Sequence, residues 1–258
     1  MTILFPSPIF GPVKSRRLGV SLGINLLPAD GKVCTFDCIY CECGLRKDHI
    51  PHQKFPPRSQ VQAELRQQLQ KMQALATPPD VITFAGNGEP TLHPDFAGII
   101  DDTITLRDEY FPKAEISVLS NATQLDRQDV FDALLRVDNN IQKLDTVTPQ
   151  YIRFVDQPLS PAYDVEHIIS RLALFADRCI IQTMFLDGEY KGKSVNNTGD
   201  EYIQPWLTAI QHIRPSKVMI YTIERETPIS TLRKATPESL DRIALQVESL
   251  GISCQVSY

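Results

Sequence analysis

Residues 32–44 read KVCTFDCIYCECG, and this short stretch limits what the chain can be. Its cysteines Cys34, Cys38 and Cys41 are spaced C-x3-C-x2-C, so three thiolates on one loop can bind one metal centre. A four-iron cluster held by three cysteines leaves one iron open to a substrate or cofactor. The spacing therefore predicts an open-site [4Fe–4S] cluster.

A structural zinc site is the alternative for the same segment. In that site Cys43 supplies a fourth thiolate and the ion becomes four-coordinate and closed. One residue between Cys41 and Cys43 leaves little room for both to bind a single ion, and no second CxxC pair follows. The cysteines alone leave both possibilities open. Cys43, Cys179 and Cys254 are predicted to be structural or incidental.

The composition is that of a folded enzyme. With 258 residues, 42% hydrophobic and 22% charged, the chain is close to globular averages and can form one domain over residues 1–258. Four of the six cysteines lie within residues 34–43, which indicates metal binding rather than a disulfide framework. The first residues contain several prolines and no later apolar run is long enough for a membrane span, so we expect a cytoplasmic protein without a membrane partner.

The net charge of −5 gives the chain no broad attraction for a phosphate backbone. Only Lys14, Arg16 and Arg17 form an obvious local basic group that could touch a phosphate. A solvated surface loop is the favoured interpretation of the same triplet.

Outward from the cysteine segment, apolar strand-like runs alternate six times with segments of helical periodicity, which is typical of parallel βα units. An earlier strand precedes them at residues 20–26. The six predicted strands are residues 81–85, 116–119, 141–144, 180–185, 218–223 and 252–256. A parallel α/β sheet is therefore the predicted fold class.

Helix signals separate these strands. Residues 59–75 have Ser59 as the predicted N-cap, and the last helix begins at Thr236 and Pro237 and stops at Gly251. The apolar face of the first helix consists of Val61, Leu65, Leu69 and Met72. Residues 31–57 have no periodicity and are predicted to form a functional loop, and residues 189–200 a mobile polar loop.

Polar residues follow two of the predicted strands. Gly86, Asn87, Gly88 and Glu89 come at the carboxyl end of one strand, where glycine lets a ligand approach the backbone and a carboxylate can accept an ammonium group. An ordinary Asn-Gly turn is the alternative. After the next strand, Ser120 and Asn121 suit the hydroxyls of a ribose or the cap of a helix. Lys143 and Asp145 alternate on a later strand and therefore face one side.

Together, CTFDCIYC, GNGEP, SNAT and KLDTVTPQYIRFV resemble the radical SAM superfamily, in particular its Fe–S oxidoreductase branch related to wybutosine-synthesis enzymes. The resemblance implies a partial (βα)6 TIM-like barrel that binds a [4Fe–4S] cluster and S-adenosyl-L-methionine. It implies that Tyr40 lies against the adenine and that residues 86–89 hold the amino group, with Asn87 in place of the first glycine of GGEP. It also implies that Lys143 contacts the methionine carboxylate, for which a salt bridge with Asp145 is the alternative.

The resemblance further implies reductive cleavage of S-adenosyl-L-methionine to a 5′-deoxyadenosyl radical, with a one-electron reductant such as flavodoxin or ferredoxin as partner. No cysteine precedes Cys34, so the auxiliary cluster of the wybutosine enzymes lacks ligands, which weakens tRNA as the substrate. An RNA base and a peptide or protein stay open as substrates, and a non-enzymatic zinc-stabilised binding module as the alternative function. His93 and His212 are predicted to lie at the surface or behind the ligands. The substrate-side candidates are Gln182, Thr183, Tyr221, Glu224 and Arg225.

Overall fold

The computed structural model describes residues 3–15 and 19–258, so Arg16 and Arg17 lie outside the described residues. Eight strands form one sheet in the order β1-β2-β3-β4-β5-β6-β9-β11, and β10, β7 and β8 form a small second sheet. Along the chain the strands are β1 (Ile9–Ser15), β2 (Gly19–Ile24), β3 (Val81–Phe84), β4 (Glu115–Ser120), β5 (Asn139–Lys143), β6 (Ile180–Met184), β7 (Leu186–Tyr190), β8 (Lys193–Ser194), β9 (Lys217–Tyr221), β10 (Leu232–Lys234) and β11 (Ser253–Ser257).

The helices are α1 (Arg58–Ala74), α2 (Phe96–Tyr110), α3 (Gln128–Leu134), α4 (Pro149–Tyr151), α5 (Val165–Ala173), α6 (Asp200–Ile213) and α7 (Pro237–Ser249). A π-helical turn, Ile152–Asp156, continues α4. From β2 to β11 every pairing in the large sheet is parallel, and helices connect its neighbouring strands. Six βα units and a final strand therefore form the α/β sheet that the periodicity predicts.

The two faces of the large sheet carry alternate residues of each strand. On β2 and β3 the side chains of Leu22, Ile24, Ile82 and Phe84 are fully buried in the main core, which includes the apolar faces of the helices. The opposite, concave face has its own small apolar cluster, made of Ile141, Ile180 and Met219. This cluster fills the base of the concave face, so a ligand can bind only above it, towards the carboxyl ends of the strands.

Most element predictions are confirmed to within two residues, and two details were wrong. The first helix starts at Arg58 with Pro57 as its N-cap and no side-chain cap bond, so Ser59 already lies within the helix. Residues 189–200 are not a free polar loop, because they contain the end of β7 and all of β8, with Val195 and Asn197 buried. In the described part of the chain, no helix has the length and apolar character needed to cross a membrane.

Candidate active site

A cavity of about 280 Å³ opens on the concave face, and residues from six parallel strands line it. Its strand residues include Ser21, Thr83, Leu119, Ile141, Gln182, Met184, Met219 and Tyr221, and charged residues at its edge are Lys14, Glu42, Glu224 and Arg225. Four of the five substrate-side candidates therefore line one space. The fifth, Thr183, points elsewhere, because its hydroxyl donates to the carbonyl of Leu144 at 2.7 Å.

The cysteine loop is joined to the turn after β3 by backbone hydrogen bonds. The Val33 N–H donates to the Asn87 carbonyl at 2.9 Å, and the Glu89 N–H donates to the Val33 carbonyl at 3.0 Å. Gly88 lies between them at φ +136°, where a Cβ would come within 1.9 Å of the Val33 oxygen. Glycine is required here both by the positive φ and by the close approach of the two backbones.

Replacing Gly88 with alanine is expected to lower the thermal midpoint and to loosen the cysteine loop. Gly192→Ala is the matched control, because Gly192 also has a positive φ of 71° but a Cβ there would meet nothing within 4 Å. The control carries only the left-handed backbone cost of about 1–2 kcal/mol, and Gly88→Ala adds a clash. Equal midpoints for the two variants, measured by thermal unfolding, would contradict the requirement for close approach.

A second set of backbone bonds holds the same loop from the other side. The Asp37 N–H lies 3.2 Å from the Asp156 carbonyl and 3.1 Å from that of Gln157, and the Ile39 N–H donates to the Val155 carbonyl at 3.0 Å. The loop that contains Cys38 is therefore fixed between the turn after β3 and the turn Ile152–Asp156.

A buried cation, Lys32, lies beside the three cysteines. Its side chain is 1% exposed, and its Nζ donates to the Gly44 carbonyl at 2.7 Å and to Asp37 Oδ1 at 3.2 Å. Burial alone would lower the pKa of Lys32, but electrostatic interaction with the cysteines and with Asp37 outweighs it and raises the pKa above its usual value. The ammonium group therefore offsets the negative charge that thiolate ligands bring to this loop.

The three thiols are not equivalent. Burial raises the pKa of Cys34 to about 12 and holds the pKa of Cys38 well above its usual value. Hydrogen bonding with Cys43 and the charge of Lys32, acting against burial, lower the pKa of Cys41. Cys41 therefore loses its proton more readily than Cys34 and Cys38, whose protons a bound metal would displace.

The thiol set fits an iron–sulfur cluster, because iron in such clusters prefers thiolate ligands and the loop already supplies a compensating cation. Cys43 lies beside this set, with its Sγ 3.2 Å from the Gly86 carbonyl. Among residues 3–15 and 19–258, no three His, Cys, Asp or Glu side chains are grouped so that they could hold a single metal ion.

Glu89 connects three segments of the site. The Oε1 of Glu89 accepts two hydrogen bonds from Thr91, from the N–H at 3.1 Å and from the hydroxyl at 2.5 Å. The Oε2 of Glu89 accepts the Asn121 N–H at 2.6 Å. The Asn121 amide in turn donates to the Thr35 hydroxyl at 2.8 Å. Burial raises the pKa of Glu89. Glu89, Asn121 and the cysteine loop therefore form one hydrogen-bonded unit.

The other predicted residues near this unit make mainly backbone contacts. The Ser120 hydroxyl accepts the Ala122 N–H at 3.1 Å, as a turn residue does. Asn87 is fully buried, and its side-chain amide donates to the carbonyls of Phe5 at 3.0 Å and Pro28 at 2.8 Å. Asn87 thus holds the turn in place from behind.

A buried charged cluster joins β5 to the loop that precedes α5. The Lys143 ammonium lies 2.7 Å from Asp145 and 2.8 Å from Asp156, and the Tyr40 hydroxyl donates to Asp145. Burial raises the pKa of Asp156 to about 7. The positive charge of Lys143 opposes this rise, and the negative charge of Asp145 adds to it. Burial opposes the charge on Lys143, but the two carboxylates raise its pKa. Lys143 and Asp145 face one side, as predicted, and form a salt bridge.

The sequence analysis missed Lys32 and Asp156. Lys32 stands two positions before Cys34 and Asp156 directly follows the KLDTVTPQYIRFV segment, but no local pattern marks either residue as buried in the site. The two histidines lie away from the thiols: the Nε2 of buried His93 is 2.9 Å from the Pro56 carbonyl, and His212 is exposed on α6.

A known protein family matches the part of the chain that contains this site. A family model described as the Radical SAM superfamily matches residues 30–192, more than half of the chain. This match contains the cysteine loop, the turn after β3 and the charged cluster. A UPF0026 protein of Helicobacter pylori is 29% identical over 248 residues, which cover 96% of this chain and 76% of that protein. A protein of Brachyspira hyodysenteriae named GTPase Obg is 27% identical over 235 residues, which cover 91% of this chain but only 32% of that protein.

Solved structures share the fold. A radical SAM methyltransferase from Sphaerobacter thermophilus matches with a TM-score of 0.67 at 14% identity, over 92% of this chain and 66% of that one. TYW1 with a lysine-pyruvate adduct bound matches with a TM-score of 0.63 at 15% identity, over 89% of this chain and 73% of that one. These likenesses confirm the predicted partial TIM-like barrel.

Proposed function

The chain belongs to the radical SAM superfamily, which implies an enzyme, and we propose that it cleaves S-adenosyl-L-methionine reductively with a [4Fe–4S] cluster on Cys34, Cys38 and Cys41. When bound, the cluster supplies one electron for cleavage to methionine and a 5′-deoxyadenosyl radical, which abstracts hydrogen from the substrate. The observation that carries the proposal is the hydrogen-bonded unit of the cysteine loop, Glu89 and Asn121. It brings a metal-binding loop and a carboxylate for an ammonium group to one edge of the sheet.

Glu89 is the residue that we propose to hold the amino group of the cofactor. Its two oxygens are oriented by donors from Thr91 and Asn121, so an approaching ammonium meets an acceptor that does not need to reorganise. Gly86 and Gly88 leave the backbone beside it accessible. Ser120 and Asn121 follow the next strand and are proposed to lie near the ribose.

Tyr40 is proposed to contact the adenine through its ring rather than its hydroxyl. The hydroxyl donates to Asp145 and is 3.4 Å from Asp156, so it is already committed within the protein. The same arrangement orients Lys143, whose ammonium is proposed to donate to the methionine carboxylate as a further acceptor. Lys143 is already paired with two carboxylates, so binding of a third carboxylate depends on the N–H groups that its ammonium still has available.

The cavity on the concave face is the proposed substrate site, because it lies at the same sheet edge as the cysteine loop. Its base is apolar, and its edge carries an ion pair in which Arg225 lies 2.7 Å from Glu42 of the loop. We propose hydrogen abstraction from an RNA base or from a peptide or protein. An acidic one-electron donor of the flavodoxin or ferredoxin class is the proposed partner, in a reducing compartment such as the cytoplasm.

Anaerobic reconstitution tests the proposal. The protein is loaded with iron and sulfide, reduced with dithionite and mixed with S-adenosyl-L-methionine, and 5′-deoxyadenosine is measured by chromatography. We expect a brown protein with equal amounts of iron and sulfide that forms this product. A fully loaded, reducible cluster that forms none would contradict the proposal, and one bound zinc without iron would favour the zinc-stabilised module.

A further inference from the structure

A basic and aromatic patch lies on the outer surface behind the cysteine loop. It consists of Arg153 and Phe154 from the turn after α4 and of Tyr190, Lys191 and Lys193 from the β7–β8 hairpin. The Phe154 and Tyr190 rings are 5.3 Å apart. The Lys191 ammonium lies 5.0 Å from the Tyr190 ring, and that of Lys193 lies 5.9 Å from the Phe154 ring. The three cations are exposed and are held over a small aromatic surface.

The hairpin presents these cations in a defined way. Tyr190 and Lys193 are paired across the strands and therefore share a face, whereas Glu189 is paired with Ser194 on the opposite face. Lys191 and Gly192 both have positive φ, at 49° and 71°, as in a two-residue type I′ turn. Asparagine is the favoured first residue of such a turn, so the lysine at this position is not explained by the preference of the backbone.

Within the described part of the chain, no carboxylate forms an ion pair with the patch. Over residues 3–15 and 19–258, none of the ion pairs within 4.0 Å involves Arg153, Lys191 or Lys193. The chain as a whole carries a net charge of −5. An acidic partner is thus repelled by the molecule on average and attracted at this place, which favours one docking orientation.

The patch is separated from Cys38 by one segment of backbone. The segment of Arg153 and Phe154 continues into Val155, whose carbonyl accepts the Ile39 N–H at 3.0 Å. Phe154 and Tyr190 also pack against the apolar cluster that contains Cys38. A partner seated here therefore comes close to the metal-binding loop without entering the cavity, and none of the five patch residues lines that cavity.

We propose that this patch is the docking surface for an acidic protein that donates single electrons, a role that rests on the proposed function. In each encounter one electron leaves the reduced donor and reduces the oxidised cluster by one unit, and no bond is made or broken. The patch favours a protein over an RNA substrate, because an RNA base that reacts must reach the cavity on the concave face.

Two pairs of substitutions test the surface. Lys191→Asn with Lys193→Gln removes two of the three positive charges and gives the turn its preferred residue, so any loss of binding does not come from misfolding. Lys191→Glu with Lys193→Glu makes the patch negative. Lys71→Glu, at an exposed position on α1, changes the net charge as much as the neutral pair does and is its matched control.

The first measurement is the affinity for an acidic bacterial flavodoxin, by calorimetry on the protein as purified, without reconstitution. We expect the reversed pair to bind at least about tenfold more weakly, the neutral pair to lie between, and Lys71→Glu to bind as the unchanged protein. Salt should weaken binding of the unchanged protein and have less effect on the reversed pair. Equal affinities for all four proteins would overturn the surface, whether or not the proposed function holds.

The second measurement is the rate of cluster reduction after mixing with reduced flavodoxin, followed by visible absorbance in a stopped-flow instrument. The reversed pair should be reduced at least about tenfold more slowly by flavodoxin and at the normal rate by dithionite. An equal loss with dithionite would indicate general damage and overturn the assignment. A pair of variants that keeps flavodoxin affinity but loses tRNA affinity would assign the patch to RNA instead. Failure of dithionite to yield 5′-deoxyadenosine in the unchanged protein counts against the proposed function alone.

Discussion

Cys38→Ala is expected to leave the chain folded but unable to retain an iron–sulfur cluster or to form 5′-deoxyadenosine above background. Cys38 is 8% exposed at the centre of the loop, between the two other proposed ligands. The proposed cluster has only three cysteine ligands, and the two thiolates that remain in the variant are too few to hold it. The fold should survive, because the flanking Asp37 and Ile39 N–H groups still bond to residues 155–157. Iron content, visible absorbance and product formation measure the effect.

Two cysteine variants serve as controls for this prediction. Cys179→Ala changes a buried thiol that contacts the Ala176 carbonyl at 3.4 Å within the main core, so it should cost some stability and no iron. Cys43→Ala should also retain iron, although it removes the hydrogen bond that lowers the pKa of Cys41. Loss of metal from Cys43→Ala equal to that from Cys38→Ala would instead support a four-thiolate zinc site.

Lys143→Ala is expected to reduce the free energy of unfolding by about 3–5 kcal/mol, the cost of leaving buried charges unpaired. The side chains of Asp145 and Asp156 are only 2% and 3% exposed, and Lys143 lies within 2.8 Å of both. Without the ammonium group the two carboxylates repel each other in a place that water scarcely reaches. Denaturant unfolding at neutral pH measures the loss.

The matched controls separate charge from packing at this position. Lys143→Arg keeps the charge and should recover part of the loss, whereas Lys113→Ala removes an exposed lysine and should change stability by about 0.5 kcal/mol or less. Burial raises the pKa of Asp156 to about 7 even beside Lys143, so without the ammonium group this carboxyl takes up a proton already above neutral pH, and the deficit of Lys143→Ala should narrow as the pH falls from the alkaline range. A loss under about 1 kcal/mol at neutral pH would show that the cluster is not held by charge pairing.

Local patterns in the sequence were sufficient for the sheet and for part of the site. The period-two and helical runs predicted the βα units because each element buries one face, a requirement that the sequence records directly. Glu89 and Asn121 were predicted to follow two successive strands, and the hydrogen bond between them shows that the two strand ends meet in the parallel sheet.

Contacts between distant segments could not be read in the same way. Asp156 reaches Lys143 only because a π-helical turn returns the chain towards β5, and no short motif marks that turn. Lys32 carries a charge that a solvated loop would also carry, and only the packing of residues 37–44 around it shows that it is buried. The β7–β8 hairpin was mistaken for a loop because its turn contains Lys191 instead of the asparagine that usually reveals such a turn.

The two-sided anchoring of the cysteine loop has a consequence for how metal is acquired. Protein atoms alone bond Val33 to the turn after β3, and Asp37 and Ile39 to residues 155–157. The loss of conformational entropy, about 1–2 kcal/mol for each ordered residue, therefore falls on folding and not on cluster assembly. The cysteine loop is therefore pre-organised before iron arrives, and the affinity of the thiols for iron is not lowered by the need to order a flexible chain.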